Sequence, residues 1–124
     1  MQLKWLTLNS YNMKIIDAQN QKIGRVASEA AKSLMGKDTV TYKPNEVGGK
    51  VHITNASKLA ITEKKTKEKE YAKYSGFPGG LRFETLEKII KNKGHEEVLR
   101  RAIKRMLPSN RLRDLRLKNL KVTD

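Results

Sequence analysis

The 124-residue sequence contains no cysteine. This absence excludes disulfide bonds, thiolate zinc sites and cysteine nucleophiles. Histidine is almost as scarce, because His52 and His95 are the two examples and they stand in unrelated contexts. We expect both histidines to be structural, and the sequence predicts neither a metal site nor a cofactor.

Long apolar runs are also missing from the sequence. No segment approaches the length that a helix needs to cross a bilayer. The N-terminal stretch MQLKWLTLNSYNMK has neither a long apolar core nor a small-residue cleavage site, so it does not resemble a signal peptide. We therefore expect a cytoplasmic protein without membrane contact.

Acidic residues are few relative to basic ones. The chain has 27 lysine and arginine residues against 13 aspartate and glutamate residues, which gives a formal net charge of +14. Like charge of this size opposes compaction unless a counter-charge is present, and nucleic acid is the commonest polyanionic partner. The alternative is a basic tail that serves solubility, but the cations are spread along the whole chain.

The length suits one domain with a modest core. We interpret residues 1–12 as an N-terminal arm, and residues 13–124 as a single domain with a basic C-terminal segment. A short apolar run at 14–17 predicts a buried strand. Apolar residues at helical spacing from Ile23 to Leu34 predict the clearest helix, with Gly36 as its C-cap.

The remaining pattern predicts further elements of both kinds. Strands are expected at 51–55, 59–62 and 120–122. Residues 63–70 are interpreted as a charged, mobile arm. Two helices follow, one with Thr85 as its N-cap and one from His95 to about Leu107, separated by Gly94. This order predicts an α/β protein in which helices cover both faces of a small, largely parallel sheet.

Groups of residues that could catalyse a reaction are missing. Asp17 is the one carboxylate that closely follows a core strand, and it has no evident partner. Gly36-Lys37 lacks the earlier glycine of a phosphate-binding loop, and Asp38 stands where that motif needs serine or threonine. We therefore expect a non-enzyme. A small nucleotide-using enzyme is a rival hypothesis, and it would require catalytic groups clustered at strand ends.

The stretch YAKYSGFPGGLR, residues 71–82, is interpreted as a stiff, glycine-rich loop whose chemistry is suited to RNA. Its glycines allow a backbone to approach a sugar-phosphate chain closely, and Pro78 limits the freedom that docking would remove. Tyr71, Tyr74 and Phe77 offer flat rings for unpaired bases. The alternative is an ordinary turn whose aromatic rings pack on the domain itself.

The third predicted helix carries cations that suit phosphate binding. Arg100, Arg101, Lys104 and Arg105 are expected to point away from its apolar stripe with no acid among them, and the basicity continues from Arg111 through Arg116 to Lys121. Such a face costs repulsion in isolation and becomes favourable when phosphates displace counterions. The mixed-charge run at 63–70 can equally be a solvated face.

Several short motifs occur in a specific order. They are Ile16-Asp17-Ala18, Ile23-Gly24-Arg25-Val26-Ala27-Ser28, Gly36-Lys37, Tyr42-Lys43-Pro44, Asn55-Ala56, the run from Tyr74 to Leu81, and Met106-Leu107-Pro108 with Asn110. Their order and spacing from about Met13 to Val122 resemble the family of large-subunit ribosomal protein thirteen, in its bacterial and organellar form. The chain departs from the family pattern at Met13, Glu63 and Tyr74 and lacks the usual C-terminal extension, so we expect a divergent, shortened member.

This resemblance implies a three-layer α/β/α domain with a four-stranded, largely parallel sheet. It also implies a non-enzymatic constituent of the large ribosomal subunit, which binds large-subunit ribosomal RNA, meets neighbouring ribosomal proteins, supports subunit assembly and takes no small-molecule substrate. Carried over by motif position, RNA contact falls on Arg25, Lys37, Ser75, Gly76, Gly79, Gly80, Asn110 and Arg111. Charge and ring chemistry add Lys64, Lys65, Tyr74, Phe77, Arg82, Arg101, Lys104, Arg105 and Arg113. The alternative is an RNA-binding assembly factor that leaves the mature particle.

Overall fold

The computed structural model describes residues 13–38, 40 and 43–124, so the predicted arm at 1–12 lies outside the described residues. In chain order the elements are β1 (Met13–Asp17), α1 (Ile23–Met35), β2 (Lys50–Thr54), a 3-10 turn (Ala56–Lys58), α2 (Glu63–Glu68), β3 (Glu70–Tyr74), β4 (Leu81–Thr85), α3 (Leu86–Met106), α4 (Leu112–Leu117) and β5 (Leu120–Val122).

A parallel sheet of strand order β1-β2-β5 supplies one side of the hydrophobic core. The register places Ile16 beside Ile53 and Ile53 beside Val122, so the three side chains share one face, and all three are buried. Ile15 lies on the opposite face and is 67% exposed. The strand predicted at 14–17 is therefore present, but it is buried on one face rather than on both.

Helix α1 contributes an apolar stripe to the core beside the sheet. Its alanines at positions 27, 30 and 31 are buried, and such small side chains allow the helix to pack closely on β2 and on α3. The helix ends at Gly36, whose φ of 82° is left-handed and suits glycine. The helix and C-cap predicted from the sequence are confirmed.

The loop before β2 packs tightly on the C-terminal end of α1. The Gly48 amide donates a hydrogen bond to the carbonyl oxygen of Leu34 over 3.0 Å. A Cβ atom on Gly48 would lie 2.7 Å from the Leu34 carbonyl carbon and would overlap the backbone nitrogen of Gly36. Only glycine fits this contact, which positions the start of β2.

The strand predicted at 59–62 is wrong. This segment is an irregular connection, and its Ala60 amide donates to the carbonyl oxygen of Gln21 over 2.9 Å rather than to a sheet. Leu59 and Ile61 are partly buried against the core. An extended connection also places alternate side chains on one side, so the alternation in the sequence resembled that of a strand.

The charged, mobile arm predicted at 63–70 is also wrong. Residues 63–68 form α2, and the Thr62 hydroxyl accepts a hydrogen bond from the Lys65 amide over 3.3 Å. Threonine at the N-cap satisfies an amide that would otherwise have no partner, and Glu63 in the first turn suits the helix dipole. These local signals favour a helix even though none of its residues is buried.

The pair of helices predicted in the C-terminal half is confirmed. Helix α3 begins after Thr85, whose hydroxyl accepts from the Lys88 amide over 3.3 Å. It is interrupted at Gly94, which has φ 80° and ψ 178°, and it ends before Pro108. The strand predicted at 120–122 is confirmed as β5.

The described residues therefore form a mixed α/β fold with a small parallel sheet and a separate antiparallel pair, β3 with β4. This confirms the predicted fold class. The parallel sheet has three strands in the part of the chain that the structure describes, and the fourth strand and the third layer stay predictions. No helix among the described residues has the length and hydrophobicity to cross a membrane.

Candidate nucleic-acid interface

The segment at 71–82 belongs largely to a β-hairpin. Strands β3 and β4 pair antiparallel, with Lys73 opposite Arg82 and Tyr74 opposite Leu81, and residues 75–80 form the turn between them. The prediction of a loop was therefore right for the turn and wrong for its flanks. Glycine and proline in the centre of the segment hid the alternation of the two short strands on either side.

The hairpin turn is constrained by its glycines. Gly76 and Gly79 have φ values of 89° and 74°, where a side chain would be strained. The Gly80 amide donates to the Phe77 carbonyl over 2.9 Å, and a Cβ on Gly80 would overlap the Ser75 hydroxyl. The turn is therefore a preformed shape with an accessible backbone, and it presents Phe77, which is 73% exposed.

Tyr71, expected above as a candidate for base stacking, has a different role. Its side chain is in the core and only 8% of the residue is exposed. Three cations lie against its ring, with Lys69, Arg101 and Arg105 between 5.3 and 5.6 Å from the ring centroid. This arrangement corrects the expectation, because Tyr71 attaches the hairpin to α3 and has no free face for a base.

The cations on the outer face of α3 were expected to have no acidic residue among them. This expectation is wrong. Arg101 is paired with Glu97 at 3.1 Å and with Glu84 at 3.7 Å, and its side chain is only 23% exposed. Glu84 comes from β4, so this pair spans two elements that sequence spacing could not relate. Arg101 therefore positions the hairpin and offers little charge to solvent.

The other cations near the C-terminal end of α3 differ in whether a carboxylate is paired with them. Arg100 is paired with Glu96 at 3.6 Å. Lys104 and Arg105 are exposed, and neither forms an ion pair with a carboxylate of the described residues. In the part of the helix that follows Gly94, the unbalanced positive charge is therefore concentrated in the last turn.

The face containing Arg25 on α1 adjoins this basic end of α3. The Ser28 hydroxyl lies 3.6 Å from the Met106 sulfur, which connects the first half of α1 to the last turn of α3. Arg25 lies one turn before Ser28 and is exposed in a shallow groove that Lys32 also lines. The structure thus brings Arg25 and the end of α3 to one side of the molecule.

The C-terminal basic segment contains one arginine that cannot contact RNA. Arg116 is 2% exposed, and its guanidinium donates to the carbonyl oxygens of Pro44 and Glu46 over 3.4 and 3.2 Å. The expectation that the basic face extends to Arg116 is therefore wrong. Buried in this way, Arg116 holds the loop before β2 against α4.

The remaining predicted site residues lie in several places. Asn110 accepts a hydrogen bond from the Leu112 amide over 3.0 Å, and Arg113 donates to the Ser109 hydroxyl over 3.0 Å, so both help to shape the start of α4. Arg111 is exposed nearby. The other exposed lysines are Lys64 and Lys65 on α2 and Lys37 after the C-cap of α1.

Two further cations of the hairpin region are not among the predicted site residues. Lys73 is exposed and pairs in register with Arg82, and Lys69 lies over the Tyr71 ring. The signal that could have found them is their spacing, since Lys69, Tyr71 and Lys73 are two residues apart and share one side of an extended strand.

Asp17 has a structural role in the described fold. Its carboxylate accepts hydrogen bonds of 2.9 Å from the Asn55 side chain and the Gln19 amide. These bonds, with a smaller contribution from the charge of Lys58, lower the pKa of Asp17 below its ordinary value. The Asn55 backbone has φ 57°, and the bond to Asp17 helps to hold this left-handed conformation.

Asp17 belongs to no group of three or more histidine, aspartate or glutamate residues that could hold a metal ion in the part of the chain that the structure describes. The Nε2 atom of His52 lies 3.0 Å from the Thr123 hydroxyl, which ties β2 to the end of β5. The described residues of this region therefore offer positive charge and a shaped turn.

Comparison with known proteins agrees with this description. A family model described as "Ribosomal protein L13" matches residues 11–123. The protein called "Large ribosomal subunit protein uL13" from Aquifex aeolicus (strain VF5) is 47% identical over 109 residues, which are 87% of this chain and 75% of that relative.

Two further relatives carry the same name. The protein from Caldanaerobacter subterraneus subsp. tengcongensis is 44% identical, and the one from Pelobacter propionicus is 42% identical. Each match covers 87% of this chain and 76% of the relative. The chain belongs to the ribosomal protein L13 family.

Proposed function

We propose that this protein is a structural, non-enzymatic constituent of the large ribosomal subunit, which binds and stabilises large-subunit RNA and supports assembly of the subunit. The observation that carries this proposal is 47% identity to a large ribosomal subunit protein over 87% of the chain. The chemistry of the surface agrees, because a net charge of +14 favours binding to a polyanion.

Charge neutralisation supplies the first part of the mechanism. Lys104 and Arg105 present charge that no described carboxylate balances, and Arg25 lies on the same side of the molecule. Phosphates that contact these cations release condensed counterions, so binding gains entropy and weakens with salt. No covalent bond is made or broken.

Close docking of the hairpin turn supplies the second part. The turn exposes backbone at Ser75, Gly76 and Gly79, and its glycine-defined shape loses little freedom when it binds. Phe77 and Tyr74, which are 73% and 66% exposed, offer rings to unpaired bases at this end of the hairpin. Lys73 and Arg82 add phosphate contacts along one side.

The proposed RNA interface extends to the other cations and polar groups of the predicted site. It comprises Arg25, Lys37, Lys64, Lys65, Tyr74, Ser75, Gly76, Phe77, Gly79, Gly80, Arg82, Lys104, Arg105, Asn110, Arg111 and Arg113, with Arg101 as a positioning residue and Lys73 as an addition.

We also infer the finer architecture that the family resemblance implies. Residues 13–124 form one domain, and one connected core from Ile16 to Val122 supports this. A fourth strand and a further layer complete the parallel sheet. The exposed Ile15 and Met13 on β1 support such a layer, because apolar side chains on an open sheet face favour burial.

Sedimentation tests the proposed function. The tagged full-length chain is expressed in a bacterium from which the resident relative is depleted, and ribosomes are separated in high salt. We expect one copy of the chain per mature large subunit. Accumulation on immature precursors, without the chain in mature subunits, would indicate an assembly factor instead, and a chain that remains free of both would contradict the proposal.

A further inference from the structure

The two faces of the β3–β4 hairpin have different chemistry. The antiparallel register places Ala72 opposite Phe83 and Tyr74 opposite Leu81. Because side chains alternate along a strand, these four residues share one face, and Lys73 with Arg82 lies on the other. We call the first set, Ala72, Tyr74, Leu81 and Phe83, the apolar face.

The apolar face is exposed despite its composition. Phe83 is 60%, Leu81 54% and Tyr74 66% exposed. The hairpin packs on α3 through its other face, where Tyr71 is buried and Glu84 forms an ion pair with Arg101. A cluster of large apolar side chains that the chain's own described residues leave uncovered is typical of an interaction surface.

The chemistry of this face favours a protein partner over RNA. Protein–nucleic acid interfaces are polar and strongly positive, whereas the core of a protein–protein interface is aromatic-rich and depleted of charge. The hairpin places both of its paired cations, Lys73 and Arg82, on the opposite face. A second copy of this chain is a poor partner, because each copy carries a net charge of +14.

We infer that the apolar face docks onto an apolar surface of another protein of the large subunit, while the turn and the exposed Lys73–Arg82 pair, which lies beyond the buried Tyr71 on the opposite face, contact RNA. This inference rests on the proposed function. Tyr74 lies at the boundary, because it belongs to the apolar face and directly precedes the turn. The hairpin thus joins an RNA contact to a protein contact across the thickness of one two-stranded sheet.

Site-specific photocrosslinking tests the inference in the assembled particle. Phe83 is replaced by the photoreactive p-benzoylphenylalanine in the full chain, and the matched control carries the same group in place of Lys73 on the other face. Purified large subunits are irradiated and digested with nuclease or protease. We expect an adduct to a second ribosomal protein from position 83 and an adduct to RNA from position 73.

Several outcomes would overturn the inference. They are an adduct from position 83 to RNA, an adduct to another part of this chain, and no adduct to any macromolecule in subunits that contain the variant. If the chain does not cosediment with the large subunit at all, the proposed function fails instead, so the two failures are distinguishable.

A binding measurement provides an independent test. The double substitution Leu81→Ser with Phe83→Ser removes exposed side chains, so we expect folding to be retained and affinity for protein-free large-subunit RNA to stay within about twofold. Lys73→Gln with Arg82→Gln is the matched control, and we expect it to weaken RNA binding about tenfold at low salt. A tenfold loss in the serine variant would mean that RNA occupies the apolar face.

Discussion

The imbalance of charge along α3 predicts that two cations one turn apart contribute differently to RNA binding. Lys104 has no described carboxylate partner, whereas Arg100 is paired with Glu96 at 3.6 Å. Both side chains belong to exposed residues, so Lys104→Gln and Arg100→Gln each remove one charge without disturbing the core. Arg105 is less suitable because it also packs on the Tyr71 ring.

The expected magnitude follows from counterion release. A cation that contacts phosphate contributes about 0.7–0.9 to the slope of log affinity against log salt. We expect Lys104→Gln to lower the slope by that amount, which is about a threefold smaller loss of affinity between 50 and 200 mM salt. We expect Arg100→Gln to lower it by less than about 0.3, because Glu96 already neutralises this arginine.

Filter binding to protein-free large-subunit RNA, repeated at five or more salt concentrations, measures both slopes. Circular dichroism of each variant serves as the folding control. An unchanged slope for Lys104→Gln would remove the end of α3 from the interface. Equal changes for the two variants would show that the ion pair with Glu96 does not decide which cations meet phosphate.

Three further predictions concern stability. Gly48→Ala should lower the free energy of unfolding in urea by about 2–4 kcal/mol, because the added Cβ clashes with the end of α1. The control Gly24→Ala, which has nothing within 4 Å of the added Cβ, should raise the free energy of unfolding by about 0.5–1 kcal/mol. Equal losses of stability in the two variants would refute the clash. Because the pKa of Asp17 is lowered in the fold, its ionised form stabilises the protein above about pH 4. Asp17→Asn should therefore lower the free energy of unfolding in urea at pH 7, and its difference from wild type should disappear as the pH falls through the folded pKa. A difference in the free energy of unfolding that does not change with pH would contradict this reasoning. Arg116→Met should leave the free energy of unfolding within about 1 kcal/mol of that of the wild type, since it removes a buried charge that has no described ion-pair partner. A loss above about 3 kcal/mol would show that the two hydrogen bonds of Arg116 outweigh the cost of burying its charge.

Much of the fold could be predicted from the sequence where a signal is local. The periodic stripe of α1, its C-cap at Gly36 and the N-cap at Thr85 each depend on residues within a few positions of one another. The same kind of signal was present at Thr62, but the dense charge after it was interpreted as mobility. Signals of this range predict where helices lie, but they do not predict which other elements pack against those helices.

The errors at the candidate site arose from contacts between distant parts of the chain. Tyr71 is buried because Arg101 and Arg105, about 30 positions later, pack on its ring. Glu84 neutralises Arg101 only because the hairpin lies against α3. Positive charge could be counted in the sequence, but which cations remain unbalanced depends on packing.

The single buried ring of the hairpin also has a consequence for motion. Tyr71 is the one residue of β3 and β4 that is buried, so the hairpin is attached at its base while its far end makes few contacts with the body. Backbone amides near Tyr74 and Leu81 should therefore exchange with deuterated solvent much sooner than those of β2, which lies between two neighbours. A segment of this kind can adjust its angle while the particle forms around it and become rigid only when its far end is covered.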